Sequence, residues 1–241
     1  MKTLFIIQFF FLLIWLVYWV EIRFNLNFTS WGILPKTLSG LRGIVFAPFI
    51  HSSLSHLFNN SVPLFVLIWA LFYFLKPIAW RVLFYGLIAT GILTWLIARP
   101  AYHIGASGVI YMLVAFFIAK GLFSKNYRLL ALAFAVLFLY GSFIWYLFPI
   151  DPSISWEGHL SGFIIGVLFS VIFRNTTLPT KTYAWERPDF QPERDPFLQQ
   201  FDAEGNFIDT KPPKEASERD TLEIRYIIKE NTSNVDKNAD E

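Results

Sequence analysis

The sequence predicts an all-α polytopic membrane protein, a bundle of six spanning helices over residues 1–174 followed by an acidic hydrophilic tail over residues 175–241. Three observations carry that prediction. Apolar residues make up 55% of the chain, against ~45–50% in a soluble domain even with glycine counted there. They gather into runs of the length that crosses hydrocarbon, about 20 residues. Charge is also divided along the chain. Residues 1–174 hold 11 Lys/Arg and 3 acids, a net of +8, whereas residues 175–241 hold 9 and 15, a net of −6. The overall charge of +2 therefore hides two unlike regions.

The first predicted helix is 4–20, which Lys2 precedes and Glu21 ends. No small-residue cleavage site follows it, so it reads as a retained helix and not a secretory signal. The second, 54–75, is closed by Lys76 and Pro77, and the third, 82–98, by Arg99 and Pro100. The fourth, 105–119, ends at Lys120, the fifth, 129–148, at Pro149, and the sixth, 158–173, at Arg174. Charge or proline bounds each run, as expected where a helix leaves lipid. Lys2, Lys76, Arg81, Lys120, Lys125, Arg128 and Arg174 fall on one side in short loops, and the positive-inside rule places that side in the cytoplasm. Both termini are then cytoplasmic, in a cell (inner) membrane. The long loop from Glu21 to Ser53 lies outside, its Trp31, Phe46 and Phe49 suited to the interface.

The chain has four histidines, His51, His56, His103 and His159, all at or beside outer helix ends. Helices two, four and six run from outside to inside. Their first turns carry His51, His56 and Asn60; Gly105-Ala106-Ser107-Gly108; and His159. A single histidine there reads best as an interfacial anchor, but three sets at one depth read as a site, because polar groups in spans are expensive. Ser107 sits in a glycine frame that leaves its hydroxyl uncrowded. Its predicted helix has 15 residues and covers about 22 Å of a roughly 30 Å core, so the serine lies below the surface. His159, Gly162 and Gly166 share a helical face at i, i+3 and i+7, where small residues admit a neighbouring helix. If that neighbour is helix four, His159 can take the serine proton that a hydroxyl nucleophile must lose. His56 and Asn60, at i and i+4, are donors suited to an oxyanion. Glu157 is placed in a solvated loop and no acid inside any span, so the pair is expected to act as a dyad.

These residues resemble the rhomboid intramembrane serine proteases: His51-x4-His56-x3-Asn60, Gly105-Ala106-Ser107-Gly108 with Tyr111 a turn later, and His159-x2-Gly162-x3-Gly166. The resemblance implies Ser107 as nucleophile and His159 as general base. His56, Asn60 and the Ser107 backbone N–H would form the oxyanion hole. Tyr111 would pack on the His159 ring and His51 would support the site. Substrates would be single-span membrane proteins cut in or near their transmembrane segments, the other partner being the lipid bilayer. A catalytically silent rhomboid-like protein that binds membrane helices is the alternative, though such a binder needs neither Ser107 nor His159. Two family features are missing: an adjacent Trp-Arg pair in the first outer loop, and a Glu at the inner end of helix two, where the chain reads Phe72-Tyr73-Phe74-Leu75-Lys76.

The absence of cysteine excludes disulfides, thiolate catalysis and cysteine zinc sites. His51 and His56 are five apart with no carboxylate between them, which argues against a zinc protease, so no metal or cofactor is expected. The tail has no basic run for nucleic acid. It reads as weakly ordered, with two strand-like pieces, 206–208 after an Asp202–Gly205 turn and 221–229, able to pair as a short hairpin.

Overall fold

The computed structural model describes residues 2–139, 144–176 and 183–208. Among the described residues six long helices form the body: α1 (Lys2–Phe24), α2 (Leu54–Phe74), α3 (Lys76–Ile97), α4 (Ser107–Phe123), α5 (Tyr127–Leu139) and α6 (Trp156–Ile172). Two of them, α2 and α3, are both long and apolar enough on their own to cross a membrane; α4, α5 and α6 are shorter apolar helices. The chain divides into two compact units, 1–180 and 181–241.

Helix α4 is the core. It is apolar on every side, and every residue from Val109 to Phe117 is buried, as a helix without a polar face requires. It packs against α6 most extensively, and also against α5, α2 and α3. Glycines permit the α4–α6 contact. A Cβ on Gly162 would lie 2.0 Å from the Gly108 carbonyl oxygen, and one on Gly166 2.2 Å from that of Met112. Backbone meets backbone there, so only glycine fits. Helix α1 is joined to α2 by Trp15, whose indole N–H donates to Ser61 Oγ at 3.1 Å. Outward faces of the bundle are strongly apolar: Trp69, Tyr73, Trp80, Phe84, Phe134, Phe138 and Leu168 are all exposed. A soluble monomer rarely exposes so much contiguous apolar surface.

Several boundaries differ from the sequence expectation, each for a physical reason. Helix α1 continues through Glu21 to Phe24, and the Glu21 carboxylate then accepts the Phe28 N–H at 2.7 Å. Helix α3 begins at Lys76 because Pro77 is suited to a first turn, where its missing N–H costs nothing. Helix α4 does not stop at Lys120 but runs 17 residues to Phe123, still only about 25 Å. Lys120 is fully buried; its ammonium donates to the carbonyls of Phe173, Arg174 and Thr176 at 2.8, 2.9 and 2.9 Å. It closes the C-terminus of α6, whose last carbonyls have no partner within the helix. Within the span predicted for helix five, residues 140–143 lie outside the described residues, and Trp145–Leu147 is a 3₁₀ turn, so the α-helix does not reach Phe148.

The segment between α1 and α2 is a chain of short helical turns, Thr29–Trp31, Ser39–Arg42, Gly43–Phe46 and Ala47–Phe49. Within it the Arg42 guanidinium lies 5.2 Å from the Trp31 ring centroid and donates to the Ser30 carbonyl at 3.0 Å. A tryptophan and an arginine eleven positions apart thus meet in this segment. In the second unit, Asp202–Gly205 makes the expected turn, Gly205 with φ +83°, and a single antiparallel bridge joins Phe201 to Phe207. No named strand forms among the described residues, and 221–229 lies outside them.

Candidate functional site

Ser107 opens α4, and the turn before it needs a glycine. Gly105 has φ +100°, left-handed space that side chains avoid. Its N–H donates to the Ala47 carbonyl at 2.8 Å, so the first outer segment fixes the turn. Two residues on, the Ser107 hydroxyl is half-exposed and 2.8 Å from Nε2 of His159 in the first turns of α6. His159 Nδ1 is 2.9 Å from the Tyr146 carbonyl oxygen. A carbonyl can only accept, so Nδ1 carries the proton and Nε2 offers its lone pair to the serine O–H. That is the tautomer a general base needs, set by backbone. The Tyr111 ring, one turn along α4, stacks on the imidazole at 4.2 Å between centroids and 13° between planes.

His56 and Asn60 of α2 face this pair. A Cβ placed on Gly105 would lie 2.7 Å from His56 Nε2 and 3.5 Å from Asn60 Nδ2, so both groups converge over the turn that leads into Ser107. His56 Nδ1 is 3.2 Å from Ser52 Oγ. If the serine donates there, Nε2 keeps its proton and points at the turn. The Asn60 amide nitrogen is buried with no partner among the described residues. A buried donor held without a partner is costly and is the condition expected of a group kept for a ligand. These residues line an open cleft of about 1010 Å³ together with Ser107, Tyr111, Tyr146 and His159. His51 is buried and its ring packs edge-on to that of His56 at 5.0 Å, outside the cleft lining. Burial, and after it the neighbouring His56, push the His51 imidazole down to about 3, so it is neutral at pH 7.

Glu157 corrects the sequence reading. Because Ser155 caps α6 and the helix starts at Trp156, Glu157 lies in the first turn and is buried, not solvated in a loop. It accepts the Arg99 N–H at 3.3 Å and pairs with the Arg99 guanidinium at 3.6 Å. Two acids, Glu21 and Glu157, thus sit within helices where none was expected. Neither hydrogen-bonds His159, whose Nδ1 meets the Tyr146 carbonyl instead. Sequence reasoning missed Tyr146 because a backbone acceptor has no residue type. It also missed Ser155 and the role of His103, which are tied to each other at 2.5 Å. Among the described residues no cluster of His, Asp or Glu suited to a metal ion occurs.

The fold and the site together define an all-helical bundle with a serine–histidine pair set at the start of its most buried helix. The rhomboid domain family matches residues 39–176, more than half of the chain, and the chain belongs to the rhomboid family, whose members are membrane proteins. It is 35% identical over 153 residues to an uncharacterized protein of Mycobacterium tuberculosis and to one of Mycobacterium bovis, covering 57% of this chain and 61% of each relative. An uncharacterized protein of Mycobacterium leprae is 33% identical over 154 residues, covering 57% of this chain and 58% of the relative. The chain thus spans about three-fifths of the length of these relatives.

Proposed function

We propose that the protein is an intramembrane serine endopeptidase that cleaves transmembrane segments of single-span membrane proteins through a Ser107–His159 dyad. One observation carries the reading: the 2.8 Å contact of Ser107 Oγ with His159 Nε2 in an imidazole whose other nitrogen donates to a carbonyl. Ser107 Oγ attacks the scissile carbonyl carbon while its proton passes to His159 Nε2. The oxyanion that forms takes hydrogen bonds from His56, Asn60 and the Ser107 N–H, the kind of contribution that is usually largest in acyl transfer. Collapse of the adduct breaks the C–N bond, and the leaving amine takes the proton from His159. Water, deprotonated by the same histidine, then releases the acyl group.

All six long helices span the bilayer in this reading, with the termini in the cytoplasm and the cleft opening on the extracytoplasmic side of the cell membrane. The Lys/Arg-rich inner loops and the apolar outward faces support that placement. A transmembrane helix must locally unwind to present a peptide bond, so segments with helix-breaking residues near the cut are the favoured substrates.

Two measurements test the proposal. Ser107→Ala in liposomes should abolish cleavage of a single-span substrate while the protein remains folded. A fluorophosphonate probe should label Ser107 in the wild type and fail to label it in His159→Ala. Cleavage that survives in Ser107→Ala would overturn the assignment of Ser107 as nucleophile. A folded wild type that neither cleaves nor labels would favour the silent helix-binding alternative.

A further inference from the structure

A second serine–histidine pair lies beside the first, with the roles of the two segments exchanged. His103 precedes Ser107 by four residues, Ser155 precedes His159 by four, and both pairs join positions 52 apart. His103 is buried, at 5% exposure, and lies on the segment between α3 and α4. Its backbone is fixed by a two-way bridge to Ile33, N–H to carbonyl at 2.9 Å in each direction. Its Nε2 is 3.1 Å from the Arg99 carbonyl oxygen, which can only accept, so Nε2 carries the proton. Nδ1 is then the acceptor and the Ser155 hydroxyl donates to it at 2.5 Å. Burial holds this imidazole below its ordinary range, with the Arg99 carbonyl acting in the other direction, which agrees with a neutral ring.

Ser155 is occupied on its other side by α6. Its Oγ accepts the Gly158 N–H at 3.3 Å as the helix cap, and its carbonyl accepts the N–H of His159 itself at 3.2 Å. A directed chain therefore runs from α6 through Ser155 to His103 and on to Arg99. The tie joins the segment that delivers the nucleophile to the turn that delivers the base. Tyr111 braces the imidazole by stacking, but a stacked ring can slide in its plane, and stacking alone leaves the distance to Ser107 loose. The close approaches of Gly162 to Gly108 and of Gly166 to Met112 set how near the two helix backbones lie, and the His103–Ser155 contact adds a side-chain tie at the outer end of α6.

We propose that His103 is a positioning residue which, through Ser155, holds the first turn of α6 against the start of α4 and so fixes the Ser107–His159 separation. The proposal rests on the protease reading above.

The test compares wild type, His103→Ala, His103→Asn, Ser155→Ala and the double variant His103→Ala/Ser155→Ala in liposomes, by substrate kinetics and by the rate of fluorophosphonate labelling of Ser107. The probe is small and does not need the substrate-binding surface, so its rate reports the dyad. A displacement of order 1 Å at a reacting group can cost ~100-fold, so His103→Ala should lower kcat and the labelling rate together by about 10-fold or more, with KM changed less than about twofold. The amide oxygen of His103→Asn can accept from Ser155, and it should recover most of the labelling rate. Because the two residues act as one tie, the double variant should be no slower than the slower single one, whereas the separate loss of the helix cap would multiply. Labelling of His103→Ala at the wild-type rate, a loss confined to KM, or multiplying effects in the double variant would each overturn the tie. If His103→Ala fails to fold, Ser155→Ala and His103→Asn, which keep the packing, decide by the same readings. A wild type that does not label removes the protease reading, and this proposal with it; a wild type that labels while the variants match it removes this proposal alone.

Discussion

The two ends of the bundle treat buried polar groups in opposite ways. At the Lys120 end the ammonium is fully buried and meets three carbonyls, one for each of its protons. At the Ser107 end the Asn60 amide nitrogen is buried without a partner among the described residues, and Nε2 of His56 closes on the turn before Ser107. A polar group kept for structure is satisfied, because an unmet buried donor costs about 1–3 kcal/mol. In the protease reading proposed above, a group kept for a transition state is left open until the charge develops, and the fold bears that cost. Thr90 Oγ1 and Glu157 Oε2 are also buried without a partner among the described residues, so what marks the site is the convergence of Asn60 and His56 on the turn before Ser107 together with the unmet donor.

The strongest way to break this contrast is to remove the open donor. Asn60→Ala should lower kcat by ~100-fold or more, the range seen on losing one oxyanion donor, and should leave thermal stability unchanged or slightly raised. Kinetics on a transmembrane substrate and a melting curve in the same detergent check both halves. An activity loss accompanied by equal destabilisation would place Asn60 with the scaffold.

Lys120→Ala makes the opposite demand. It strands carbonyls at the end of α6 and empties a filled volume, and should cost about 2–4 kcal/mol of stability. Ser107 labelling by a fluorophosphonate, measured well below the melting temperature, should be close to wild type because the site lies at the other end of α4. A large loss of labelling in folded protein would show that the two ends are coupled.

Much of the Ser107 end was legible in the sequence and little of the Lys120 end was. Ser107, His159, His56 and Asn60 announce themselves because rare polar types fall in the first turns of like-directed helices, and Gly162 and Gly166 mark the face that joins two of them. Lys120 looked like a charge leaving the membrane; its long apolar stem lets the ammonium turn back to the end of α6, which no local pattern encodes. The same holds for Trp31 with Arg42 and for Glu157 with Arg99, pairs formed by loops whose paths are set by tertiary contact. The Tyr146 carbonyl that orients His159 is the extreme case, since any residue offers one.

The smallest effect at neutral pH belongs to His51, which sharpens the contrast by titration. Its imidazole is buried beside His56 and held down to about 3, against 6.5 when unfolded. The folded state therefore favours the neutral ring, and between these values the unfolded chain binds the extra proton. Stability from this group is complete above pH 6.5 and is lost as pH falls from there toward 3. His51→Gln keeps a polar side chain of similar reach without that proton. Across this pH range its melting temperature should fall less steeply than that of the wild type, while the two stay close at pH 7.5 and above. Parallel curves would show that His51 takes its proton in the fold as readily as in the unfolded chain, and so that the region around His56 is wetter than its packing implies. A shallower curve for the variant would show that the open donors of the site sit on a dry base, the condition under which hydrogen bonds to an oxyanion are worth most.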